Sequence, residues 1–380
     1  MEPTRVLFVV SGMEIGGVQS GIMNFARITP PEQVRFDVAV LSEKIGYHEA
    51  EFQKFGSIYH VPLLRAKNKY LDVVCLMLNQ FICRRKMKRL LDRHGPYDVV
   101  HAKLLKYAAP VMAAARKSRV PVRIAQCHVD RPDDLSAFYS LYYRWCAKRI
   151  EKNATVKLAV SEKAVDLLFA PYGARVIKNP TISLEKLDPS RYPPDCHTGI
   201  RLIQVGTYSH RKNQCFSVEI LKELLDSGQE AQLAFIGFPL DEPEYIHTME
   251  DRIRQLGVSD QVVFYPKDAD VPLLLSQSDY MLIPSLREGL PNVALEAQAM
   301  GVPCFLSDTI TKATDCGLCT FLPLQNGPGS WAREIINYRL QRGAGKGSAD
   351  MSSWDQRKVL QEYIGIWKGI CGKNPKGKTE

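Results

Sequence analysis

The chain has 380 residues, enough for two ordinary α/β domains, each with its own core. Hydrophobic residues make up 45%, charged residues 24% and aromatic residues 9%, proportions that exclude a disordered, collagen-like or coiled-coil chain. The net charge of +9 is lopsided: residues 1–180 carry 29 Lys and Arg against 16 Asp and Glu, a net +13, and the remainder carries −4. A basic half suits an anionic membrane surface, an acidic substrate or nucleic acid. The basic residues lack a regular array of stacking aromatics, which argues against nucleic acid.

The first residues, Met1 to Thr4, lead straight into an apolar run with neither a basic n-region nor a small-residue cleavage site, so no secretory signal is expected. The expected compartment is the cytoplasm, and ten scattered cysteines suit a reducing environment. A strand is expected over 6–10, a helix over 18–28, a strand over 36–41 and a helix over 48–55 stopped by Gly56. The apolar stretch 71–83 contains Asp72, Asn79 and Gln80 and cannot supply the 18–20 or so clean residues of a membrane span. Arg84, Arg85, Lys86, Lys88 and Arg89 follow it, and the whole reads either as an amphipathic basic helix able to lie on anionic lipid or as a solvated helix face. Further strands are expected over 98–101, 122–126 and 157–161, with helices between.

A proline-rich polar stretch, 186–199, reads as a linker, after which the alternation restarts. Strands are expected over 201–205, 232–236, 262–265, 280–284, 303–307 and 320–324, and helices over 214–225, 245–256 and 292–300. The Gly-rich run 343–348 is a flexible break, because Lys346 is followed by Gly347 where a phosphate loop needs Ser or Thr. A last helix is expected over 354–370 and a disordered tail over 372–380. The fold class is α/β: two doubly wound Rossmann-like domains facing a cleft, residues 1–185 and 200–352, with a C-terminal helix over 353–371 crossing back to the first.

Chemistry is concentrated at strand-to-helix turns. The first strand ends in Ser11-Gly12 and a turn through Gly16 and Gly17, whose amides can approach an anion at a helix N-terminus; the spacing is not the dinucleotide fingerprint. A turn needing glycine for geometry alone gives the same residues. The second half opens with Val205-Gly206-Thr207 and delivers His210, Arg211 and Lys212, cations suited to a diphosphate or to a solvated loop. In the segment 284–297, Glu288 sits in a loop, Pro291 is expected at the first helical position, and Glu296 stands eight residues on among apolar neighbours. Two carboxylates so placed can accept hydroxyl groups from the two ends of one extended polyol ligand. Asp268 and Asp270 form a DxD, but Asp270 precedes Val271-Pro272 and an apolar helix, so a helix cap is expected and not a metal site. Cys316 and Cys319 form the one CxxC, without a second pair or a histidine at ligand spacing.

These segments together resemble the retaining GT-B glycosyltransferases of family 4, close to the capsular and exopolysaccharide enzymes. The resemblance is carried by the Glu288-x7-Glu296 element, Gly206 with Lys212-Asn213-Gln214, Gly16-Gly17, the run from Arg123 to His128, Val160-Ser161-Glu162 and Val176-Ile177-Lys178-Asn179. It implies that Lys212 holds the donor diphosphate, Glu288 contacts the transferred sugar, Glu296 accepts from the ribose hydroxyls and His128 sits at the reaction centre. Gly16 and Gly17 would meet the phosphate or the acceptor, and Gly206, Thr207, Arg211, Tyr265, Leu290, Pro291, Asn292 and Val293 complete the donor site. The family usually carries Arg where this chain has Thr207; His210 and Arg211 are the candidates to replace that donor. His128, taken alone, also fits a satisfied structural histidine between Cys127 and Val129.

The implied activity is transfer of a sugar from a nucleotide-diphosphate sugar, a UDP-sugar foremost, with retention and without an essential metal or other cofactor. The acceptor would be a saccharide or lipid-linked saccharide in capsule- or exopolysaccharide-type synthesis, with peripheral contact at the inner face of the membrane. The alternatives are a catalytically inactive sugar-nucleotide-binding protein and a sugar-nucleotide epimerase on the same two-domain plan.

Overall fold

The computed structural model describes residues 2–14, 16–65, 69–128, 137–178, 184, 186–193, 197–239, 242–288, 290–343 and 346–369. In chain order the elements are β1 (Thr4–Val10), α1 (Gly17–Ile28), β2 (Val34–Val40), α2 (Glu49–Phe52), β3 (Ile58–His60), α3 (Lys69–His94), β4 (Val99–Ala102), α4 (Ala108–Lys117), β5 (Val122–Cys127), α5 (Ala137–Asn153), β6 (Val156–Ala159), α6 (Glu162–Phe169) and β7 (Arg175–Val176). There follow β8 (Ile200–Val205), α7 (Gln214–Asp226), β9 (Ala231–Ile236), α8 (Tyr245–Leu256), β10 (Val262–Tyr265), α9 (Val271–Ser276), β11 (Tyr280–Ile283), α10 (Asn292–Ala299), β12 (Cys304–Ser307), β13 (Cys319–Leu322), α11 (Pro328–Arg342) and α12 (Gln356–Trp367). The chain forms two units, residues 1–181 with 356–380 and residues 182–355.

The first unit holds a parallel sheet in the order β3-β2-β1-β4-β5-β6-β7. Strand order reverses between β1 and β4, so the loops leaving their carboxyl ends diverge and leave room for a ligand. Strands covered on both faces read as unbroken apolar runs, and Val6 to Val10 are all buried. α12 belongs to this unit: Val359, Leu360, Tyr363, Ile366 and Trp367 recur at helical spacing and are buried beside Phe8, Phe25 and Phe36. Phe25 meets the Trp367 ring edge-on at 5.1 Å and the Tyr363 ring edge-on at 4.8 Å, a favoured aromatic arrangement.

The second unit repeats the plan with the order β10-β9-β8-β11-β12-β13, again parallel. β8 and β9 pair from Ile200 with Ala231 to Val205 with Ile236. That register brings the two carboxyl ends level, so Gly206 and Gly237 emerge side by side.

Several expectations are corrected. The stretch 186–199 is no free linker: Leu187 is buried in the second unit's core and His197 Nε2 lies 3.0 Å from Asp279 Oδ2. Its proline-rich composition hid one anchoring leucine. Trp354 ends a 3-10 turn, Ser352–Trp354, and is buried in the second unit, so the last helix begins at Gln356. Lys346 and Gly347, expected in a flexible break, are pinned: Gly347 N donates to Gly301 O at 2.8 Å and Lys346 Nζ to Leu275 O at 3.1 Å. α2 is a four-residue helix, shorter than the eight residues 48–55. β3, β7 and α11 have no counterpart in the sequence reading; β3 and β7 are short edge strands whose side chains stay partly or fully exposed, so no apolar pattern marks them. Ile370, the tail 372–380, Asn179 and Gly289 lie outside the described residues.

Candidate functional site

In the second unit the site begins where β8 stops. Gly206 has φ +148, a conformation that favours glycine, and a Cβ there would come 3.4 Å from Lys212 Cε. A Cβ on Gly237 would stand 2.0 Å from Gly206 O, so two bare backbones meet at this edge. The turn carrying Lys212 is tied down on both sides. Gln204 Nε2 donates to Lys212 O at 2.9 Å, Asn213 Nδ2 donates to Pro284 O at 3.1 Å, and Leu286 N donates to Arg211 O at 2.9 Å. Asn213 adopts the left-handed conformation, φ +57, which asparagine tolerates better than most residues.

These ties bring the turn after β8 against the loop after β11. Lys212 Nζ forms an ion pair with Glu288 Oε1, Ser285 Oγ donates to the same oxygen at 3.0 Å, and Arg211 Nη1 lies 3.5 Å from Glu288 Oε2. The Glu288 side chain is only 8% exposed. The residues read as diphosphate ligand and sugar ligand therefore share one place, a carboxylate held by two cations and a hydroxyl. Removing one partner of so enclosed a pair leaves an uncompensated charge, the costly case for buried ions.

α10 starts just beyond. Pro291 occupies the cap position with φ −72 and ψ 100, one residue earlier than the first-helical-position reading, and makes no side-chain cap hydrogen bond of its own. The N-terminal amides carry partial positive charge suited to an anion. Pro291 is buried, Leu290 and Val293 pack on the core, and Asn292 opens the helix. Glu296, one turn further in, lies among buried Ala294, Leu295 and Ala297; desolvation pushes its carboxyl up to about 7. Tyr265 ends β10, partly buried beside the same core, and its carbonyl accepts from Gly237 N at 3.4 Å.

In the first unit, Gly16 caps α1 and Gly17 opens it, next to Gly12, whose carbonyl accepts from Gln19 Nε2 at 3.0 Å. Ile15 lies outside the described residues. His128 follows β5, with Lys103 after β4 at its side: Lys103 Nζ lies 3.5 Å from His128 Nε2 and donates to Gln126 Oε1 at 2.8 Å. Desolvation, then the Lys103 charge, holds the His128 imidazole well below its ordinary value. Lys103 is 6% exposed, and burial brings its ammonium down to about 7.

Two family models match the chain, a glycosyl transferase 4-like domain over residues 16–181 and glycosyl transferases group 1 over residues 197–315. EpsF of Bacillus subtilis, named as a glycosyltransferase, is 30% identical over 352 residues, spanning 87% of this chain and 86% of EpsF. This chain is a family 4 glycosyltransferase of the GT-B type. An Escherichia coli protein named as a UDP-Gal:alpha-D-GlcNAc-diphosphoundecaprenol alpha-1,3-galactosyltransferase is 23% identical to this glycosyltransferase over 316 residues, 77% of this chain and 76% of the relative. Among solved structures, Anabaena HepE in complex with UDP-glucose has a TM-score of 0.72 at 16% identity, covering 96% of this chain and 99% of HepE, a likeness of fold.

Within the glycosyltransferase's second unit, Gly206, Arg211, Lys212 and Glu288 come together. Thr207 donates no charge there; its carbonyl accepts from Gln214 Nε2 at 3.0 Å. Of the two candidates to replace the missing arginine, His210 pairs with Glu242 and only Arg211 reaches Glu288. Arg123 is spent on structure, donating to Asn153 O and Val120 O, and Ser161 caps α6. Asp270 caps α9, its carboxylate accepting from Leu273 N at 3.1 Å. Sequence reading missed His101, Lys103 and Ser285. The first two carried a signal: polar residues two apart at the end of an apolar strand share one face.

Proposed function

We propose that this glycosyltransferase takes a nucleotide-diphosphate sugar, a UDP-sugar foremost, and passes the sugar with retention to a saccharide or lipid-linked saccharide in capsule- or exopolysaccharide-type synthesis, without an essential metal. The observation that carries the reading is the enclosed Lys212–Glu288 pair beside Gly206 and close to the N-terminus of α10. In this reading the Lys212 ammonium, the Arg211 guanidinium and the α10 amides stabilise charge building on the departing diphosphate, the work otherwise given to a metal. Glu288 accepts from the sugar hydroxyls, ionised Glu296 accepts from the ribose, and the base lies near Tyr265 against backbone. His128 meets the sugar at the reaction centre. Support comes from HepE, whose solved complex contains UDP-glucose, and from the Escherichia coli relative, whose name specifies a UDP-sugar and a diphosphoundecaprenol-linked acceptor. A thermal-shift panel of nucleotide sugars followed by a donor-turnover assay tests it: one donor at about 100 times its dissociation constant should stabilise by roughly 2.7 kcal/mol. A chain that binds the donor and never consumes it is the inactive binder instead.

The acceptor side of the proposal includes docking on anionic lipid through α3. Among the described residues no helix is long and apolar enough to cross a membrane. Along one face of α3, Leu71, Val74, Leu78 and Phe81 are exposed, Phe81 by 70%, and Arg84, Arg85 and Arg89 continue the same face. Lys86 donates to Pro62 O at 2.6 Å and Lys88 pairs with Asp92, so these two of the five basic residues are already engaged. Each exposed arginine near an anionic surface contributes about 1 kcal/mol. Vesicle co-sedimentation should depend on anionic lipid and fall when Phe81, Arg84 and Arg85 become Ser; pelleting like wild type would remove α3 from the reading.

A further inference from the structure

The loop between β2 and α2, residues 41–48, is fastened to the turn after β1. Leu41 N donates to Val10 O at 2.9 Å, and His48 N donates to Met13 O at 3.0 Å. Between them Gly46 is packed directly on that turn: a Cβ there would stand 2.4 Å from the Met13 carbonyl carbon, so two backbones meet with no side chain between them. The loop is held from its other side by Glu49, which opens α2 and is 4% exposed. Glu49 Oε1 accepts from Gly46 N at 2.9 Å, and Glu49 Oε2 lies 3.0 Å from His60 Nε2. His60 ends β3, and its other ring nitrogen, Nδ1, lies 2.7 Å from Ser42 O. A carbonyl oxygen and a carboxylate both accept and neither donates, so both ring nitrogens carry protons and the ring is an imidazolium.

We infer that His60 and Glu49 are positioning residues for the turn that leads to Gly16 and Gly17: the imidazolium holds the Glu49 carboxylate, and Glu49 seats Gly46 and His48 against Met13. The inference rests on the glycosyltransferase reading of that turn, with Gly16 and Gly17 at the phosphate or the acceptor. The charged groups around the ring fit this arrangement. Ser42 Oγ accepts from Lys44 N at 3.1 Å and from Arg65 Nη2 at 2.8 Å, while the Lys44 ammonium pairs with Glu14 Oε1 at 3.1 Å. Among the described residues the acid that faces His60 is thus Glu49, and the two nearby cations are turned to other acceptors. The Ser42 carbonyl, opposed by desolvation, and then the Glu49 carboxylate raise the His60 imidazole above its ordinary value. His48 is the opposite case: it is buried, and desolvation followed by the Arg27 charge lowers its imidazole. Because folding raises His60, its contribution is complete below the ordinary histidine value and is lost as pH rises through the folded one. Beyond that point the enclosed Glu49 carboxylate keeps one amide donor and no counter-charge, the costly state of a buried acid. The brace on the turn therefore loosens on the alkaline side, although His60 itself bonds to the loop and not to the turn.

Histidine-labelled nitrogen NMR on the full chain reads the ring directly. At a pH of about 6.5, where an unperturbed histidine is half charged, His60 should be mostly doubly protonated, and Glu49→Gln should move its titration down. Amide hydrogen exchange, scaled to the intrinsic rate at each pH, reads the brace. Exchange at Gly46 and His48 should quicken by about tenfold or more between about pH 6 and 9 in the wild type. In His60→Gln that pH dependence should be absent. Turnover of the nucleotide sugar selected by thermal shift should fall over the same range in the wild type and lose that limb in His60→Gln. A mostly neutral His60 in the wild type at a pH of about 6.5 overturns the inference, whether or not the variants fold. So does an unmoved titration in Glu49→Gln, or pH-dependent exchange that survives in His60→Gln. Exchange that follows His60 while turnover does not leaves the brace standing and removes the Gly16–Gly17 turn from the reaction.

Discussion

Each unit of this glycosyltransferase places a lysine at the carboxyl edge of its sheet, and the two are treated in opposite ways. Lys212 is half-buried and meets the enclosed carboxylate of Glu288, with Ser285 and Arg211 on the same group. Lys103 is more deeply buried and meets an amide oxygen, an imidazole and three aromatic faces. A charge with a counter-charge can be enclosed while it stays charged; a charge without one is pushed toward its neutral form. In the proposed reading the second unit offers a diphosphate a cation already paired with an acid, and the first holds a cation that burial brings down to about 7. In one the neighbouring strand of the sheet leads to the acid, and in the other no described residue supplies one.

The largest expected break in this comparison is Glu288→Gln. Removing the carboxylate charge takes away the proposed sugar ligand and the partner of Lys212 together, and kcat should fall by about 100-fold or more while nucleotide affinity changes little. Steady-state kinetics beside calorimetry with the nucleoside diphosphate checks it, and an unchanged kcat would take Glu288 out of the chemistry.

Substituting both lysines by methionine should give stability changes of opposite sign. Lys212→Met leaves the Glu288 carboxylate enclosed with only Arg211 and Ser285, and should destabilise by about 2 kcal/mol after allowance for partial exposure. It should also weaken nucleoside diphosphate binding by about 1.5–3 kcal/mol. Lys103→Met removes a cation that folding disfavours, and should leave stability at pH 7 unchanged or raised. The sign follows from the shift: folding lowers Lys103 from 10.5 to about 7, so the penalty is full below pH 7 and fades as pH rises toward 10.5. The wild type should gain stability relative to Lys103→Met over that window. Denaturant titrations at several pH values read both effects, and a Lys103→Met protein less stable than wild type at pH 7 would overturn the contrast.

Glu296 sharpens the comparison from the acid side. Its carboxyl is raised from 4.5 to about 7, so folding disfavours its charge above pH 7 and a ribose that donates to the ionised form must favour that charge. Nucleotide affinity should fall as pH drops below about 7, by at most tenfold per unit, and Glu296→Gln should bind more weakly with a flat profile. Calorimetry between pH 6 and about 8 tests this, and equal affinities for the two proteins would move Glu296 away from the ligand. The smallest expected effect is Asp270→Ala, which should cost about 1 kcal/mol of stability by uncapping α9 and leave turnover intact in EDTA. Activity lost to chelation and restored by manganese would contradict the metal-free proposal.

The sequence by itself determined what depends on neighbours along the chain. Apolar runs alternating with helical periodicity marked most strands of both sheets; Gly206, Lys212 and Glu288 stood out as a glycine and charged groups at turns after strands, and Glu296 as a carboxylate among apolar neighbours. Tertiary structure decided what depends on partners far along the chain. Only the pinning of Asn213 to Pro284 and of Leu286 to Arg211 turns Lys212 onto Glu288, 76 residues away. Only the packing of α12 against β1 and β4 puts Trp367 on His101 and Tyr363 on Gln126. The stretch 186–199 is tied to the second unit by buried Leu187, which its composition concealed, and by His197 against Asp279. The physical reason is the same in each case: local conformational preference is written in adjacent residues, but the charge state and aim of a buried polar group are set by whatever the fold brings within hydrogen-bonding distance.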